Sequence, residues 1–350
     1  MSSPSVGVIG AGKWGKNVIR ALAGLGELAA VADLNADNLR AVHASFPDTP
    51  ITQSADEIIE SAVDAIAVTT SANTHVELAL RAIARGKDVF VEKPLALTEE
   101  GAIAVARAAE KRGCKVFVGH LLLYHQAIVT LQETIARGEI GDIVHVRLRR
   151  LSPGRIRTNE NVWWSFAPHD VALMLSLLGE PESYSACEHA RMQEGISDFV
   201  YADLQFDAGR SAHIEVSWLD PDKSSRIDVF GTRGVISVET ARAVSTLAKR
   251  SFRADRPSEG VLPTSYGEPI VESFPGIDPL RDELQAFLRW VRGGPVPPTD
   301  VANGVRVVRA LASIALQSAA NAHNNRVAGG QRFNVGDGLR RPTHANHAPL

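Results

Sequence analysis

Cysteine is scarce in this chain of 350 residues: it occurs twice, as Cys114 and Cys187, far apart in sequence. Two distant cysteines give neither a disulfide framework nor the ligand spacing of a metal site, and they fit a reducing cytosol. No run of about 18 apolar residues occurs, so no membrane-spanning helix is expected. The first residues, "MSSPSVGVIG", lack the basic and apolar segments of a signal peptide. We therefore expect a cytoplasmic protein without structural disulfides or a bound metal.

An excess of charge of one sign is also missing. The formal net charge is −3, so nothing favours a nucleic acid or an anionic membrane as a partner. Hydrophobic residues make up 45% and charged residues 22% of the chain, which is typical of a soluble globular protein. The length favours two domains, each large enough to bury a core.

The first third of the chain alternates apolar strands with amphipathic helices. Short β-branched runs are found at 5–10, 28–33, 65–70, 88–93 and 115–120. Between these runs apolar residues recur at helical spacing, and Gly86 and Gly113 each end a helix before the next strand. Strand and helix in alternation predict a parallel sheet with helices on both faces, a doubly wound Rossmann domain over residues 1–122.

The pattern changes in the second third of the chain. A helix leads into the alternating strand 143–151, a second helix follows, and strand-like runs then occur in series with short turns between them. These features predict an α+β domain with an open, mostly antiparallel sheet over residues 123–325. Within it, residues 251–278 are rich in Pro, Ser and Gly and are predicted to form a long loop before two final helices. Residues 326–350 are predicted to be a polar tail.

The stretch "VIGAGKWG" places Gly10, Gly12 and Gly15 between a strand and a helix. In the dinucleotide-binding pattern these glycines permit a tight turn, close approach of a pyrophosphate, and close packing of helix on sheet. Asp33 ends the second strand, where a carboxylate accepts hydrogen bonds from the ribose hydroxyls of NAD and repels the 2′-phosphate of NADP. We therefore favour NAD. The alternative is a glycine turn without a ligand, with Asp33 as a helix cap.

Lys93 follows the strand "VFVE", beyond whose carboxyl end ligands bind in sheets of this kind. A partly desolvated ammonium at that position would stabilise the developing charge on an alcohol oxygen. The alternative is a lysine at a strand end that pairs with Glu92 on the surface.

The glycine turn, the stretch "TTSANTHVELALRAIARGKDVFVEKPLAL" and a later histidine helix resemble the Gfo/Idh/MocA family of NAD(P)-dependent sugar oxidoreductases. The resemblance covers nearly all of residues 5–325. It implies that Lys93 contacts nicotinamide and substrate, that Asn73 and His75 line the cofactor, and that one face of the second sheet makes the contact of a homodimer or homotetramer. The predicted cofactor-binding residues are Gly10, Gly12, Lys13, Trp14, Gly15, Asp33, Thr70, Asn73, His75, Glu92 and Lys93.

In that family the histidine helix usually carries an aspartate four residues before the histidine. In this chain, "SFAPHD" has Ser165 at that position, while Asp170 directly follows His169. Pro168 suits the first helical position, so we expect His169 in the first turn, where the positive helix end keeps the imidazole neutral. A neutral imidazole can accept the hydroxyl proton while a hydride leaves for NAD and Lys93 holds the oxygen. The alternative is a structural histidine at a capped helix end.

Residues 147–164, "RLRRLSPGRIRTNENVWW", combine five arginines with two tryptophans. Arginine binds phosphate through a planar fork and tryptophan stacks on sugars or bases, which suits a nucleotide sugar with its diphosphate. The alternative is that the arginines on the strand form a solvated face and that Trp163 packs under the helix. The predicted substrate-binding residues are Tyr124, Arg155, Arg157, Asn161, Trp163 and Asp170.

The longer pattern "GHLLLYH…ENVWWSFAPHD…VSWLDP" resembles the bacterial UDP-N-acetyl-hexosamine 3-dehydrogenase branch of the family. That resemblance implies oxidation of C3 of UDP-GlcNAc, or of its uronic acid, to a ketone that a downstream aminotransferase converts to an amine. Lys93 and His169 would be the catalytic residues. Two alternatives remain open: a dehydrogenase of inositol or a free sugar, and a cofactor-binding regulator without catalysis.

Overall fold

Two β-sheets set the architecture of the protein. We describe it from a computed structural model that covers residues 4–153, 156–158, 160–254 and 264–328. Along the chain the first sheet is completed before the second begins, and the last two helices then pack back toward the first. Within the described ranges, no helix has both the length and the apolar character needed to cross a membrane.

The first sheet contains β1 (Val6–Ile9), β2 (Leu28–Ala32), β3 (Ile51–Thr52), β4 (Ala65–Val68), β5 (Asp88–Glu92) and β6 (Val116–Gly119). The helices between its strands are α1 (Gly15–Leu25), α2 (Ala36–Ser45), α3 (Ala55–Glu60), α4 (His75–Ala84) and α5 (Glu99–Arg112). All strand pairs are parallel, in the order β3-β2-β1-β4-β5-β6. The predicted Rossmann fold is therefore confirmed. The strand order reverses between β1 and β4, and a crevice for a ligand opens at the carboxyl ends of strands at such a point.

The second sheet contains β7 (Ile143–Leu151), β8 (Ser183–His189), β9 (Phe199–Gln205), β10 (Ser211–Ser217), β11 (Ser224–Gly231), β12 (Gly234–Glu239), β13 (Ser245–Ala254), β14 (Thr264–Tyr266) and β15 (Ile270–Phe274). The order is β14-β13-β12-β11-β7-β10-β9-β8, and β15 also pairs with β13. Its pairs are antiparallel except for β7 with β10, which are parallel. The prediction of an open, mostly antiparallel sheet is confirmed.

One face of the second sheet is covered by helices. These are α6 (Gln126–Ala136), α7 (Val162–Leu178) and α9 (Val301–Ala328), whose apolar side chains join those of the strands in one core. Along β7 this covered face carries the buried Val146 and Leu148, whereas His145 and Arg147 point to the opposite face, because side chains alternate along a strand.

The C-terminal helices return to the first sheet. Helix α8 (Pro279–Val291) places Leu284 and Phe287 in the same apolar cluster as Phe90 and Phe117 of β5 and β6. The segment after α8 runs along β6, where the N–H of Val118 donates to the carbonyl of Thr299 over 2.8 Å. Residues that follow the second sheet in sequence therefore complete the core beneath the first.

Two predictions about irregular segments are corrected. The predicted loop 251–278 contains the end of β13 together with β14 and β15, and residues 255–263 lie outside the described part of the chain. These two strands are short and largely exposed, and their residues do not alternate between apolar and polar, so the composition indicates a loop. Helix α9 continues to Ala328, into the predicted tail, whose residues 329–350 lie outside the described ranges.

Candidate active site

The glycine turn between β1 and α1 has a shape that requires glycine at two positions. Gly10 has φ +106°, and a Cβ there would lie 2.8 Å from the carbonyl carbon of Thr69. A Cβ on Gly15 would lie 2.1 Å from the carbonyl oxygen of Gly10. A Cβ on Gly12 would instead meet no described atom within 4 Å. Gly10 and Gly15 therefore shape the turn, while Gly12 borders open space at the start of α1, as close approach of a pyrophosphate requires.

Asp33 follows β2 and fastens the glycine turn to the second strand. Its Oδ2 accepts a hydrogen bond from the N–H of Ala11 over 2.6 Å. Its Oδ1 accepts from the N–H of Asn35 over 2.7 Å and from Nδ2 of Asn38 over 3.2 Å. The carboxylate thus orders the turn before α2, while Asn35 itself caps that helix. Its position beside the glycine turn is the one that suits a ribose of NAD.

Glu92 is a buried carboxylate between the glycine turn and Lys93. Its Oε1 accepts a hydrogen bond from the indole N–H of Trp14, and its Oε2 accepts from the backbone N–H of Lys93 over 3.2 Å. Burial raises the pKa of Glu92 to about 7, and the hydrogen bond from Trp14 and the charge of Lys93 oppose that rise. The absence of a side chain at Gly119 makes space for the carboxylate of Glu92, since a Cβ there would lie 3.1 Å from Oε2. Trp14 and Glu92 thus link the loops after β1 and β5.

His75, which is predicted to line the cofactor, contacts the backbone of two loops. Its side chain is only 1% exposed, with Nδ1 2.8 Å from the carbonyl oxygen of Pro94 and Nε2 3.1 Å from that of Thr70. Both ring nitrogens are thus engaged with backbone, and His75 joins the loops after β4 and β5 from beneath. Burial lowers its pKa. Asn73, like Lys13 in the glycine turn, is exposed on the surface of these loops.

Lys93 and His169 converge, although Lys93 follows β5 of the first sheet and His169 lies on α7, which packs on the second. Nζ of Lys93 donates to the carbonyl oxygen of Ser165, one turn before His169 on α7, over 2.9 Å. The positive charge of Lys93 contributes to lowering the pKa of His169, second only to burial. Burial lowers the pKa of Lys93 itself to about 8, although the negative charge of Glu92 opposes this shift. No ion pair joins Nζ to Glu92 among the described residues. The alternative of a surface lysine that pairs with Glu92 therefore does not apply.

The predicted position of His169 within its helix is wrong. Helix α7 begins at Val162, with Asn161 as its N-cap, so Pro168 lies inside the helix and His169 lies near its middle. The side-chain oxygen of Asn161 accepts from the N–H of Trp164 over 3.0 Å. The helix dipole therefore does not account for a neutral imidazole. Burial does, since it lowers the pKa of His169 well below its ordinary value, and the charges of Lys93 and Arg150 act in the same direction.

Two predicted substrate ligands have structural contacts of their own. Trp163 is fully buried and donates its indole N–H to the carbonyl oxygen of Leu311 over 3.1 Å, which favours packing over stacking on a ligand. The hydroxyl of Tyr124 lies 2.8 Å from Oγ1 of Thr299, its ring stacks on that of Phe117, and burial raises its pKa.

Of the other predicted substrate ligands, Asp170 is buried in an ion pair and Arg157 is half exposed. Asp170 is 2% exposed and makes a two-pronged ion pair with Arg150, with both N–O distances 2.8 Å. Arg157 is half exposed, pairs with Glu160, and contributes to lowering the pKa of Lys93. Arg155 lies outside the described residues.

Sequence reasoning missed His120, which directly follows β6 at the ligand edge of the first sheet. It is completely buried, and its ring lies 6.1 Å from that of His169, centroid to centroid, at 86°. Burial and the charge of Lys93 lower its pKa to about 3. Its place after a strand end, like that of Lys93, was the available signal. No cluster of three or more His, Cys, Asp or Glu residues that could hold a metal occurs in the described part of the chain.

The fold and this site define a class: oxidoreductases with an NAD-binding Rossmann domain. A family model described as "Oxidoreductase family, NAD-binding Rossmann fold" matches residues 5–120, and a model of the Gfo/Idh/MocA C-terminal domain matches residues 128–237. An inositol 2-dehydrogenase of Klebsiella pneumoniae is 37% identical over 313 residues, covering 83% of this chain and 87% of that protein. The protein therefore belongs to the Gfo/Idh/MocA family of oxidoreductases.

Solved structures of other oxidoreductases share this architecture. The UDP-N-acetylglucosamine 3-dehydrogenase GnnA of Acidithiobacillus ferrooxidans superimposes with a TM-score of 0.78 at 25% identity, covering 91% of this chain and 98% of that one. The WlbA dehydrogenase of Bordetella pertussis, solved with NADH and UDP-GlcNAcA, gives a TM-score of 0.74 at 20% identity with the same coverage. At that identity the second likeness shows the fold alone.

Proposed function

We propose that the protein is an NAD-dependent dehydrogenase that oxidises the C3 carbinol of a UDP-N-acetyl-hexosamine, with UDP-GlcNAc as the favoured substrate. The product would be the 3-keto sugar, a substrate for a downstream aminotransferase. Support comes from the meeting of Lys93 and His169 beside the cofactor loops. The likeness to a UDP-N-acetylglucosamine 3-dehydrogenase over 91% of the chain is consistent with it.

Lys93 is suited to stabilise the oxygen of the reacting carbinol. An ammonium carries three N–H donors, and one of them is directed to the Ser165 carbonyl. This bond fixes the direction of the lysine side chain and leaves donors for a substrate oxygen. In a partly dry cleft such a charge stabilises a developing alkoxide more strongly than it would in water.

His169 is suited to accept the hydroxyl proton. Because burial holds its ring neutral, a nitrogen lone pair is free at the pH of the cytosol. The ring is partly exposed while Nδ1 is buried, so we assign proton acceptance to Nε2. NAD, when bound, supplies the acceptor for the hydride that leaves carbon. Gly12, Asp33 and the start of α1 are the groups that would hold it.

The observation that carries the nucleotide-sugar assignment is the positive charge around Lys93. Arg157 and Arg150 both lie close enough to contribute to lowering its pKa. Arg150 is offset by Asp170 and Arg157 pairs with Glu160, but the Arg157 side chain is half exposed, so its guanidinium can also reach a ligand. A diphosphate offers that guanidinium a further anionic partner, and an uncharged polyol does not.

The direct test is to incubate the protein with NAD and UDP-GlcNAc and to follow absorbance of the reduced cofactor. An aminotransferase that uses the 3-keto sugar should be added, because removal of the ketone draws an unfavourable oxidation forward. Reduction of NAD with UDP-GlcNAc, but not with free N-acetylglucosamine, is the expected result. Failure with every UDP-hexosamine in a panel would count against the proposal.

A second candidate is an inositol 2-dehydrogenase. It is favoured by the 37% identity to the Klebsiella pneumoniae enzyme over most of both chains. The same assay with myo-inositol separates the two, since turnover of free inositol without turnover of any nucleotide sugar would reverse the assignment. An Arg157→Ala variant sharpens the comparison: we expect a raised KM for UDP-GlcNAc, whereas an inositol dehydrogenase would be unaffected.

A further inference from the structure

A group of buried polar atoms without partners lies around Lys93 and His169. Oγ of Ser165, Nδ1 of His169 and both ring nitrogens of His120 are buried and have no hydrogen-bond partner among the described residues. Leaving one such group unsatisfied costs roughly 1–3 kcal/mol, so buried polar groups in folded proteins are nearly always paired. Several unpaired groups in one place indicate a shared partner.

The arrangement of these groups suits a single bridging water. Ser165 and His169 are four residues apart on α7, so their side chains are neighbours on one helix face. The ring of His120 meets that of His169 edge to face at a centroid distance of 6.1 Å, too far for a direct hydrogen bond. A buried water makes about three hydrogen bonds, and these three side chains provide the partners.

Other charged groups that face His169 are already committed. Asp170, the adjacent carboxylate, is held by both nitrogens of the Arg150 fork. Lys93, from the end of β5, is a cation that donates to the Ser165 carbonyl and offers no acceptor for Nδ1–H. His120, from the end of β6, is therefore the titratable side chain that remains to accept a hydrogen bond on the Nδ1 side of His169.

We propose that His120 is the positioning residue for His169: through one water shared with Ser165, it keeps the proton of His169 on Nδ1 and the lone pair on Nε2. The inference rests on the proposed roles of Lys93 and His169. In the reaction the substrate O–H proton passes to Nε2 of His169, and the C–H electron pair leaves as hydride for NAD. The Nδ1 proton stays on His169. Its N–H donates a hydrogen bond to the water, and the water donates a hydrogen bond to a ring nitrogen of His120.

The first test reads the tautomer of His169 without any substrate. The full-length protein is labelled with 15N-histidine, the ring nitrogens are observed by NMR, and the His169 signals are assigned by their loss in His169→Asn. The wild-type protein should show His169 protonated on Nδ1. In His120→Asn and His120→Phe that signal should change to a mixture of tautomers. His145→Gln, which removes an imidazole from the uncovered face of the second sheet, should leave it unchanged.

The second test is rescue of catalysis. His120→Asn and His120→Phe should lower kcat by roughly 10- to 100-fold, less than the loss of a general base itself because His169 remains, and change KM by less than about threefold. Ser165→Asp places a carboxylate on the same helix face as His169, where it can accept from Nδ1. Added to His120→Asn, it should restore most of kcat and move the acid limb of the pH profile upward, since a carboxylate favours the imidazolium.

These results separate the inference from the proposed function. If wild-type protein oxidises neither UDP-hexosamines nor inositol, the proposed function fails, while the NMR measurement still decides the role of His120. An unchanged His169 tautomer in folded His120 variants overturns the inference, whatever the rate. It is also overturned if the His120 variants raise KM with kcat intact, because His120 would then bind substrate. Far-ultraviolet circular dichroism and a cooperative melt identify which of the two His120 variants is folded.

Discussion

At the scale of single residues, the glycine turn separates residues that shape the backbone from one that borders open space. Gly15 cannot carry a Cβ, because the carbonyl oxygen of Gly10 would lie 2.1 Å away. Gly12 has open space and no positive φ, so an alanine would fit the protein by itself. The same methyl group would occupy the approach of the pyrophosphate. We therefore predict that binding of NAD and stability of the fold depend on different glycines of one motif.

This separation gives a testable prediction for Gly12→Ala. We expect its melting temperature without cofactor to match that of the wild-type protein, and its Kd for NAD to rise by about tenfold, or ~1.4 kcal/mol. Isothermal titration calorimetry and a thermal melt measure the two quantities. Gly24→Ala on α1 is the matched control: its Cβ also meets nothing within 4 Å. It should stabilise by roughly 0.5–1 kcal/mol and leave the Kd unchanged. Equal Kd values for the two variants would contradict this account.

Lys93 leads to a prediction about pH. Burial lowers its pKa to about 8, so the ammonium is present below that pH and is lost as the pH rises through it. If the ammonium stabilises the alkoxide, kcat/KM for oxidation should fall above about pH 8 in the wild-type protein. The Lys93→Arg variant keeps its positive charge at all accessible pH values, so its kcat/KM should not fall above pH 8, although its rate should be lower than that of the wild-type protein. Lys93→Met should lower kcat by roughly 100- to 1000-fold. A basic limb that persists in Lys93→Arg would assign the titration to another group.

At the scale of elements, the start of α7 decides how Asn161 should be interpreted. As the N-cap it satisfies the N–H of Trp164, one of the donors that a helix leaves free at its first turn. We predict that Asn161→Ala destabilises the protein by about 1 kcal/mol and that Asn161→Asp, which keeps the acceptor, does not. Urea unfolding measures the change. If Asn161 instead binds substrate, both variants should raise KM, and the stability difference between them should vanish.

Elements of the Rossmann domain could be predicted because each strand and helix carries its own periodicity. In α7, by contrast, two local signals compete: Pro168 suggests a helix start, while Asn161 before "VWW" provides the cap that the helix uses. The parallel pairing of β7 with β10 depends on tertiary placement, which no local pattern encodes. The same limit applies to His120. Its position after β6 was visible, but its distance from His169 depends on how the two sheets are joined.

At the scale of the whole molecule, the site depends on contacts that chain order does not suggest. Lys93 comes from the first sheet and His169 from α7, and the bond from Lys93 to the Ser165 carbonyl crosses between them. The chain then returns, with α8 packed on the first sheet and α9 contributing to the cores of both. The two parts of the chain are therefore held together both by the bond from Lys93 to α7 and by the helices α8 and α9.

Phe287 tests whether α8 supports the NAD-binding sheet. It is fully buried, and its ring meets those of Phe90 and Phe117 edge to face at 5.8 and 5.7 Å. We predict that Phe287→Ala destabilises the protein by roughly 3–5 kcal/mol. Hydrogen exchange should show the loss of protection in β5 and β6, although the substitution follows the second sheet in sequence. Val296→Ala, at a side chain 66% exposed, should cost less than about 0.5 kcal/mol. If protection falls in the second sheet while β5 and β6 keep theirs, α8 is coupled to the second sheet instead, and the first sheet does not need it to stay folded.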